Sequence, residues 1–194
     1  MTTVVEVVRA LHHDLGHAGI PHAFGGAIAL AYAVGEPRAT VDVDLNVFVD
    51  AAEARGAFTE LPAGVRWTRR DVDRAVRDGQ VRVWWDEVAV DLFFDYHPFH
   101  TDAARHAFDA PFGEGTIPVL AARHLAVFKA FFDRAKDWVD IESMARAGAL
   151  DVAFVESWLG RLLGPEDHRI GRLHATVARA AEPDAPAPRL PPLT

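Results

Sequence analysis

The sequence contains no cysteine among its 194 residues, so disulfide bonds and thiolate metal sites are excluded. Long apolar runs are missing too, because no segment approaches the roughly 18 apolar residues that a membrane-spanning helix requires. Near the N-terminus, His12, His13 and Asp14 interrupt the stretch that a signal peptide would keep apolar. We therefore expect a soluble, cytoplasmic protein that does not act in a membrane.

Positive charge is also scarce, since 20 Lys and Arg residues face 28 Asp and Glu residues, for a formal net charge of −8. This balance opposes broad electrostatic binding of nucleic acid, whose affinity comes largely from phosphate neutralisation. One stretch departs from it, with six arginines in a short span: Arg66, Arg69, Arg70, Arg74, Arg77 and Arg82. This arginine cluster is either a nucleic-acid-binding patch or, more simply, a solvated helix face of mixed charge.

Half of the residues are hydrophobic, enough for one core or for a catalytic domain with a smaller helical partner. Alternating apolar residues predict strands at 22–24, 41–49, 65–68, 80–85, 88–95 and 116–120. Helical spacing predicts helices at 3–18, 27–34, 51–59, 71–77, 121–147, 152–163 and 166–181. We expect an α+β fold, in which a small mixed sheet with flanking helices (1–120) precedes a C-terminal helical bundle (121–182) and a disordered, proline-rich tail (183–194).

Asp42 and Asp44 lie two residues apart on a predicted strand, so their carboxylates leave the same face and repel each other unless a cation lies between them. Mg²⁺ suits this position, because it prefers carboxylate oxygens and leaves sites open for phosphate. Asp91 stands among apolar residues on a later strand, where burial is costly without a cation or hydrogen bonds. Each aspartate alone is more simply a surface acid, but together, on neighbouring strands, they predict a metal site.

Gly25 and Gly26 close one predicted strand and open the next helix. A glycine turn at the start of a helix lets backbone amides approach a phosphate closely. The pair therefore predicts a phosphate-binding turn upstream of the acidic strand.

The glycine pair and the acidic strand resemble the signature of the nucleotidyltransferase (polymerase β-like) superfamily. Within it, the chain is most similar to the AbiEii/MenT-type toxin nucleotidyltransferases of prokaryotic toxin–antitoxin systems. The resemblance implies a nucleotidyltransferase that uses an NTP as substrate, with Mg²⁺ or Mn²⁺ as cofactor, and releases pyrophosphate. The residues that carry it are Gly25, Gly26, Arg38, Thr40, Asp42, Asp44 and Leu45, and the order and spacing of the motifs extend it over 20–145.

A second motif lies at 124–144, with Lys, then Arg, then Lys-Asp-x-x-Asp, as in that toxin group. On a single helix, a polar stripe would combine Lys129, Asp133, Lys136, Asp137 and Asp140, which is also typical of an ordinary salt-bridged helix face. The resemblance implies that Lys129 binds the triphosphate, and that Lys136, Asp137 and Asp140 line a nucleotide pocket which the helical subdomain completes.

Arg38 and Thr40 precede the acidic residues. Arg38 is either a phosphate-binding residue or a surface loop arginine. Thr40 points with Asp42 if the strand begins that early, so that its hydroxyl could bond a phosphate or the carboxylate. The resemblance further implies that a cognate antitoxin protein could inactivate the enzyme by phosphorylating this hydroxyl.

Several acceptors for the nucleotide remain open. The resemblance favours an RNA end such as a tRNA 3′ terminus, with Asp91 taking the proton of the attacking hydroxyl. The acidic net charge instead favours a cationic small molecule, as in antibiotic-modifying nucleotidyltransferases, and a protein side chain is a further alternative. A catalytically inactive binding module is the least favoured, since the three strand aspartates and Lys129 are all present.

Two further groups of residues are interpreted as structural. His97 and His100 lie in a predicted proline-containing loop without fixed ligand spacing, which argues against a metal site there. Trp84, Trp85 and Trp138 are predicted to be core residues and not base-stacking platforms.

Overall fold

In the computed structural model, which describes residues 2–37 and 39–182, one six-stranded mixed sheet has the order β3-β4-β2-β1-β6-β5. Its strands are β1 His22–Phe24, β2 Asp42–Asp50, β3 Gln80–Trp85, β4 Val88–Asp95, β5 Phe108–Phe112 and β6 Gly115–Val119. The helices are α1 Val4–His17, α2 Gly26–Val34, α3 Ala54–Thr59, α4 Arg69–Asp78, α5 Pro98–His106, α6 Ala122–Phe132, α7 Ala135–Arg146, α8 Val152–Leu163 and α9 His168–Ala180, with a 3₁₀ turn at Ala51–Glu53. The predicted α+β fold with its C-terminal helices is confirmed.

The middle of the sheet juxtaposes strands that are far apart in the sequence. Strand β2 pairs with β4 in parallel and with β1 in antiparallel orientation. On both β2 and β4, apolar residues face the core; Val43, Leu45, Val90 and Leu92 are at most 1 % exposed. Residues of the opposite phase therefore share the other face of the sheet, which is where the acidic residues lie.

The segment after β4 differs from the prediction. Pro98 does not lie in a loop but occupies the first position of α5, where its missing N–H costs no hydrogen bond and its fixed φ suits a helix. His97 caps this helix by accepting a hydrogen bond from the Phe99 amide at 3.1 Å. Strand β5, which pairs with β6, also was not predicted, whereas the predicted strand at 65–68 is reduced to a single bridge between Arg66 and Trp84.

The single helix predicted at 121–147 is wrong, because the chain breaks between α6 and α7. Asp133 ends α6 in the left-handed region, with φ 56°, and Arg134 precedes α7 in extended conformation. The Asp133 carboxylate accepts hydrogen bonds from Trp138 at 2.7 Å and Arg172 at 2.8 Å. The break therefore removes Asp133 from the predicted polar stripe and commits it to holding α9 against α7.

The tryptophans divide between core and surface. Trp138 is 3 % exposed, as predicted, and Trp85 is half-buried. Trp84 is 46 % exposed, so its prediction as a core residue is wrong. Strand β3 forms an edge of the sheet and buries Val81 and Val83, which turns the alternate residues outwards.

Apolar side chains of the sheet and of the C-terminal helices form one continuous core. The division into a catalytic domain and a helical subdomain remains a prediction. None of the helices within the described residues combines the length and apolar character needed to cross a membrane. The proline-rich tail at 183–194 lies outside the described residues.

Candidate active site

Three carboxylates meet where β2 and β4 run side by side. Asp44 is directly opposite Asp91 in the parallel register, and Asp42 lies two residues earlier on the same face of β2. From the edge strand, Arg82 donates to both carboxylate oxygens of Asp91, with Nε at 2.7 Å and Nη2 at 2.5 Å. Its Nη2 also lies 3.8 Å from Asp42 Oδ2. Arg82 thus pairs with two of the three acids, Asp91 and Asp42.

The charge of Asp44 is incompletely balanced. Burial, followed by repulsion from Asp42 and from Asp91, raises the pKa of Asp44 from 3.8 to about 6, although Lys129 and Lys136 act in the opposite direction. A carboxylate in this environment is stabilised by an additional cation. Three acidic oxygen donors with this charge excess fit Mg²⁺ or Mn²⁺, both of which prefer carboxylate ligands.

The glycine turn is packed directly against this acidic group. The Gly25 amide donates to the Asp44 carbonyl at 2.9 Å, which fixes the end of β1 beside β2. Gly26 has φ +51°, and a Cβ atom there would lie 1.7 Å from Asp44 Oδ2. Only glycine fits both the backbone conformation and the close approach, since a side chain would displace the carboxylate. Helix α2 begins at this turn, so its N-terminus lies beside Asp44.

The opposite wall comes from α6 and α7. Lys129 is 7 % exposed, and its Nζ lies 2.6 Å from Asp140 Oδ2 and 3.6 Å from Asp137 Oδ1. Asp137 is fully buried, and Arg134 binds it through Nε at 2.6 Å and Nη2 at 3.2 Å. These four residues form a charge-balanced network. Lys136, by contrast, is exposed at the rim.

One cavity of about 470 Å³ connects the two walls. Its lining contains each predicted site residue that the structure describes, and Arg38 lies outside the described residues. Those lining residues are Gly25, Gly26, Thr40, Asp42, Asp44, Asp91, Lys129, Lys136, Asp137 and Asp140. Strand β2 begins at Asp42, so Thr40 precedes the strand, but its hydroxyl still donates a hydrogen bond to Asp42 Oδ1 at 2.8 Å.

The arginine cluster only partly reaches this cavity. A polar groove beside the carboxylates is lined by three arginines, Arg74, Arg82 and Arg134, and also by Asp44, Asp78 and Asp91. Arg77 is instead paired with its neighbour Asp78 at 2.7 Å. The remaining members of the cluster, Arg66, Arg69 and Arg70, are exposed and line neither the cavity nor the groove.

Sequence reasoning missed the local roles of two arginines. Arg82 was assigned only to the arginine cluster, although the two-residue turn of the predicted hairpin already places it opposite Asp91. Arg134 precedes Asp137 by three residues, the spacing at which a residue before a helix contacts its first turn. The predicted continuous helix concealed that signal.

Comparison with known proteins finds no matching family model and no matching curated protein. The crystal structure of ANT(2″)-Ia in complex with adenylyl-2″-tobramycin is similar, with a TM-score of 0.52 and 15 % identity, covering 92 % of this chain and 97 % of that chain. The solution structure of the antibiotic-resistance factor ANT(2″)-Ia gives 0.48 and 14 %, covering 90 % and 91 %. An antigenic nucleotidyltransferase-like protein from Paracoccidioides brasiliensis gives 0.46 and 16 %, covering 90 % and 91 %.

At this level of identity, the similarity to ANT(2″)-Ia concerns the fold. It extends over 92 % of this chain, so it includes the mixed sheet and the C-terminal helices. The chain has a nucleotidyltransferase fold, as the sequence predicted.

Proposed function

We propose that this chain is a metal-dependent nucleotidyltransferase, which transfers a nucleotide from an NTP to an acceptor hydroxyl and releases pyrophosphate. The observation that carries the proposal is the register of β2 and β4, which sets Asp44 opposite Asp91 with Asp42 beside them. The same cavity holds Lys129 and Lys136 on its other wall. Acids for a cation and lysines for a triphosphate thus face a common space.

Asp42, Asp44 and Asp91 would hold Mg²⁺ or Mn²⁺. When bound, such an ion neutralises phosphate charge and favours ionisation of an attacking hydroxyl. The fit rests on the donor set, because three oxygen ligands carry more negative charge than Arg82 alone offsets.

The triphosphate would lie between the glycine turn and α6. Backbone amides at the start of α2 favour an anion, and Lys129 supplies a cation from the opposite wall. Lys136 stands at the rim, while Asp137 and Asp140 hold Lys129 in place and border the nucleotide. Much of the rate enhancement would be positional and electrostatic.

In the transfer step, the acceptor oxygen forms a bond to the α-phosphorus and the bond to the bridging oxygen of pyrophosphate breaks. Asp91 would take the hydroxyl proton. Arg82 donates to both oxygens of Asp91, so it must first release at least one of them. Its side chain is 48 % exposed, which leaves it room to move.

The acceptor that we favour is an RNA end, such as a tRNA 3′ terminus, with the chain acting as the toxin of a toxin–antitoxin system. The arginines of the polar groove, Arg74, Arg82 and Arg134, support an anionic acceptor, and a metal bound by Asp44 and Asp91 would offset the acids that line the same groove. Thr40 contacts Asp42, so phosphorylation of its hydroxyl by an antitoxin would put a dianion beside the acids.

A cationic small molecule is the second candidate acceptor. The net charge of −8 favours such a substrate, and the similar fold of ANT(2″)-Ia was determined with adenylyl-2″-tobramycin. A protein side chain remains a third possibility, and a binding module without catalysis is the least supported.

The deciding experiment incubates the chain with each α-labelled NTP and Mg²⁺, in parallel with total RNA and with a panel of aminoglycosides. We expect label in RNA and none in the aminoglycosides, and Asp44→Ala should show no labelling. Label in an aminoglycoside alone would select the second acceptor. Failure to label RNA or an aminoglycoside, with intact folding and NTP binding, would contradict both of the first two acceptors.

A further inference from the structure

A second group of ionisable residues lies between α5 and the start of α6, outside the cavity described above. Asp102 and His106 are one turn apart on α5, and His124 belongs to the first turn of α6. His124 Nε2 lies 2.9 Å from Asp102 Oδ2, and the rings of His106 and His124 stack with centroids 5.3 Å apart. One donor atom from each residue lies within 4.8 Å of the other two.

This arrangement combines a buried anchor with an open side. His124 is completely buried, whereas the side chains of Asp102 and His106 are 29 % and 42 % exposed. An ion can therefore approach from solvent and still be bound by the buried His124. The i, i+4 spacing of Asp102 and His106 on a helix keeps both donors on one face.

We propose that Asp102, His106 and His124 form a binding site for a borderline divalent cation, with Zn²⁺ as the preferred ion. Two imidazoles and one carboxylate are a donor set that suits Zn²⁺, and the exposed side leaves the fourth position to water. Mg²⁺ would bind poorly, because it favours oxygen ligands alone. The site is thus distinct in chemistry from the three aspartates on the sheet.

Asp102 and His124 are already in the ionisation states that a metal requires. Burial lowers the pKa of His124, despite the opposing effect of Asp102, so the ring is neutral at pH 7. Burial alone would raise the pKa of Asp102, but the hydrogen bond from His124 and the nearby His106 and Arg123 bring it below its ordinary value. An ion bound at His124 Nε2 requires the ring proton to lie on Nδ1, because a neutral imidazole keeps one N–H when its other nitrogen binds a metal.

The surroundings indicate moderate affinity. His124 Nδ1 is buried, and no hydrogen-bond partner for it is present among the described residues. Metal-bound imidazoles usually donate this second N–H to an acceptor, and loss of such a partner costs about 10–100-fold in affinity. Arg123, whose guanidinium lies over the Phe154 ring, adds positive charge nearby. We therefore expect an affinity about 10–100-fold lower than that of a similar site whose imidazoles all have such a partner.

Occupation of the site would fix α5 against α6, the helix that carries Lys129 five residues after His124. Because the ion would bind the folded chain and not the unfolded one, it should raise the melting temperature. This effect does not depend on nucleotide transfer.

The test measures Zn²⁺ binding and thermal stability with excess Mg²⁺ present to occupy the acidic cavity. His13 and His17 also lie one turn apart, at exposed positions of α1, so both are first replaced by Asn to remove a competing helix pair. In that background, His106→Asn and Asp102→Asn are compared with His174→Asn, which alters an exposed histidine paired with Glu156 on other helices. Co²⁺ serves as a second probe, through its visible absorption in tetrahedral coordination.

The background protein and its His174→Asn variant should bind one Zn²⁺ per chain and melt at a higher temperature with it. His106→Asn and Asp102→Asn should each weaken binding by at least about tenfold and lose the tetrahedral Co²⁺ spectrum. Equal binding by all the variants would overturn the site, as would an octahedral Co²⁺ spectrum throughout. His106 is exposed, so its variant should fold, which the melting curve without metal checks.

Discussion

The two walls of the cavity differ in how completely their charges are balanced. On the sheet wall, Arg82 pairs with Asp91 and Asp42, while burial and repulsion from these two acids raise the pKa of Asp44 to about 6. On the helical wall, Lys129 and Arg134 face two acids, Asp137 and Asp140, within contact distance. The helical wall is balanced by its own residues, whereas the sheet wall carries excess negative charge.

Because of this difference, the two walls should bind different ligands, a cation on the sheet wall and an anion on the helical wall. A wall of unbalanced acids attracts a cation, and a wall whose lysine is already paired binds an anion only by competing with its own carboxylates. Changes on the sheet wall should therefore affect activity most, and changes on the helical wall or in the adjoining groove should have graded effects.

The largest effect is expected from Asp44→Ala. Loss of the central carboxylate should reduce nucleotide transfer by about a thousandfold or more, roughly 4 kcal/mol, because it removes a ligand of the proposed metal. The fold should survive, since repulsion from Asp42 and Asp91 is relieved. Labelled-nucleotide transfer and circular dichroism measure the two properties. Full activity in a folded variant would refute the metal assignment.

Gly26→Ala should have the next largest effect. Its Cβ would meet Asp44 Oδ2, so the carboxylate must move and transfer should fall by about a hundredfold, roughly 3 kcal/mol. Gly35→Ala is the matched control, because Gly35 has φ +74° but open space around it. Both variants carry backbone strain, and only the first displaces Asp44. Equal losses of activity would show that the strain alone is responsible.

On the helical wall, Lys129→Ala should raise the KM for NTP by about tenfold, or roughly 1.4 kcal/mol. The charge that faces the triphosphate is lost, while Arg134 continues to bind Asp137. Lys129→Arg, which retains the charge, should recover part of the binding. Steady-state kinetics at low NTP measure this, and an unchanged KM in Lys129→Ala would reduce the residue to a structural ion-pair partner.

The smallest effect is expected in the polar groove. Arg74→Ser should weaken transfer to RNA by about threefold and lower the salt slope by about one, because one phosphate contact is lost. Arg70→Ser, on the same helix but outside the groove, is the control and should change neither. Equal behaviour of the two variants would favour a neutral or cationic acceptor.

Local patterns in the sequence predicted the sheet wall well. The alternation in β2 set the shared face of Asp42 and Asp44, and the two glycines marked the turn that packs against them. Asp91 was predicted to join them if its strand lay beside theirs, and β2 and β4 are indeed neighbours in the sheet. These features depend on residues close together in the sequence or on the resemblance, so they could be predicted from a single sequence.

Other features depend on contacts that periodicity does not encode. The break at Asp133 follows from a left-handed residue whose carboxylate binds the distant Arg172, and a continuous apolar pattern hides it. Trp84 lies on a strand at the edge of the sheet, and this position is a property of the whole topology. Local periodicity does not show it, so Trp84 was assigned to the core. The start of α5 was misread because Pro98 suits a loop and the first turn of a helix equally.

The central claim is that the sheet wall is built for a divalent cation, and the unfolding free energy tests it without any acceptor. Asp44 has a pKa of about 6 in the folded chain and 3.8 as its ordinary value. The folded state therefore binds the proton more tightly, so the contribution of Asp44 to stability is fully present below pH 3.8 and is lost as pH rises through 6. The loss amounts to about 3 kcal/mol.

The most direct measurement is the unfolding free energy of the metal-free chain and of Asp44→Asn at pH 7.5, each with and without Mg²⁺. Without metal, Asp44→Asn should be the more stable protein, and its advantage should shrink towards pH 4. Mg²⁺ should stabilise the wild-type chain and leave Asp44→Asn nearly unchanged. An equal response of both proteins to Mg²⁺, with no stability difference between them at pH 7.5, would contradict the account.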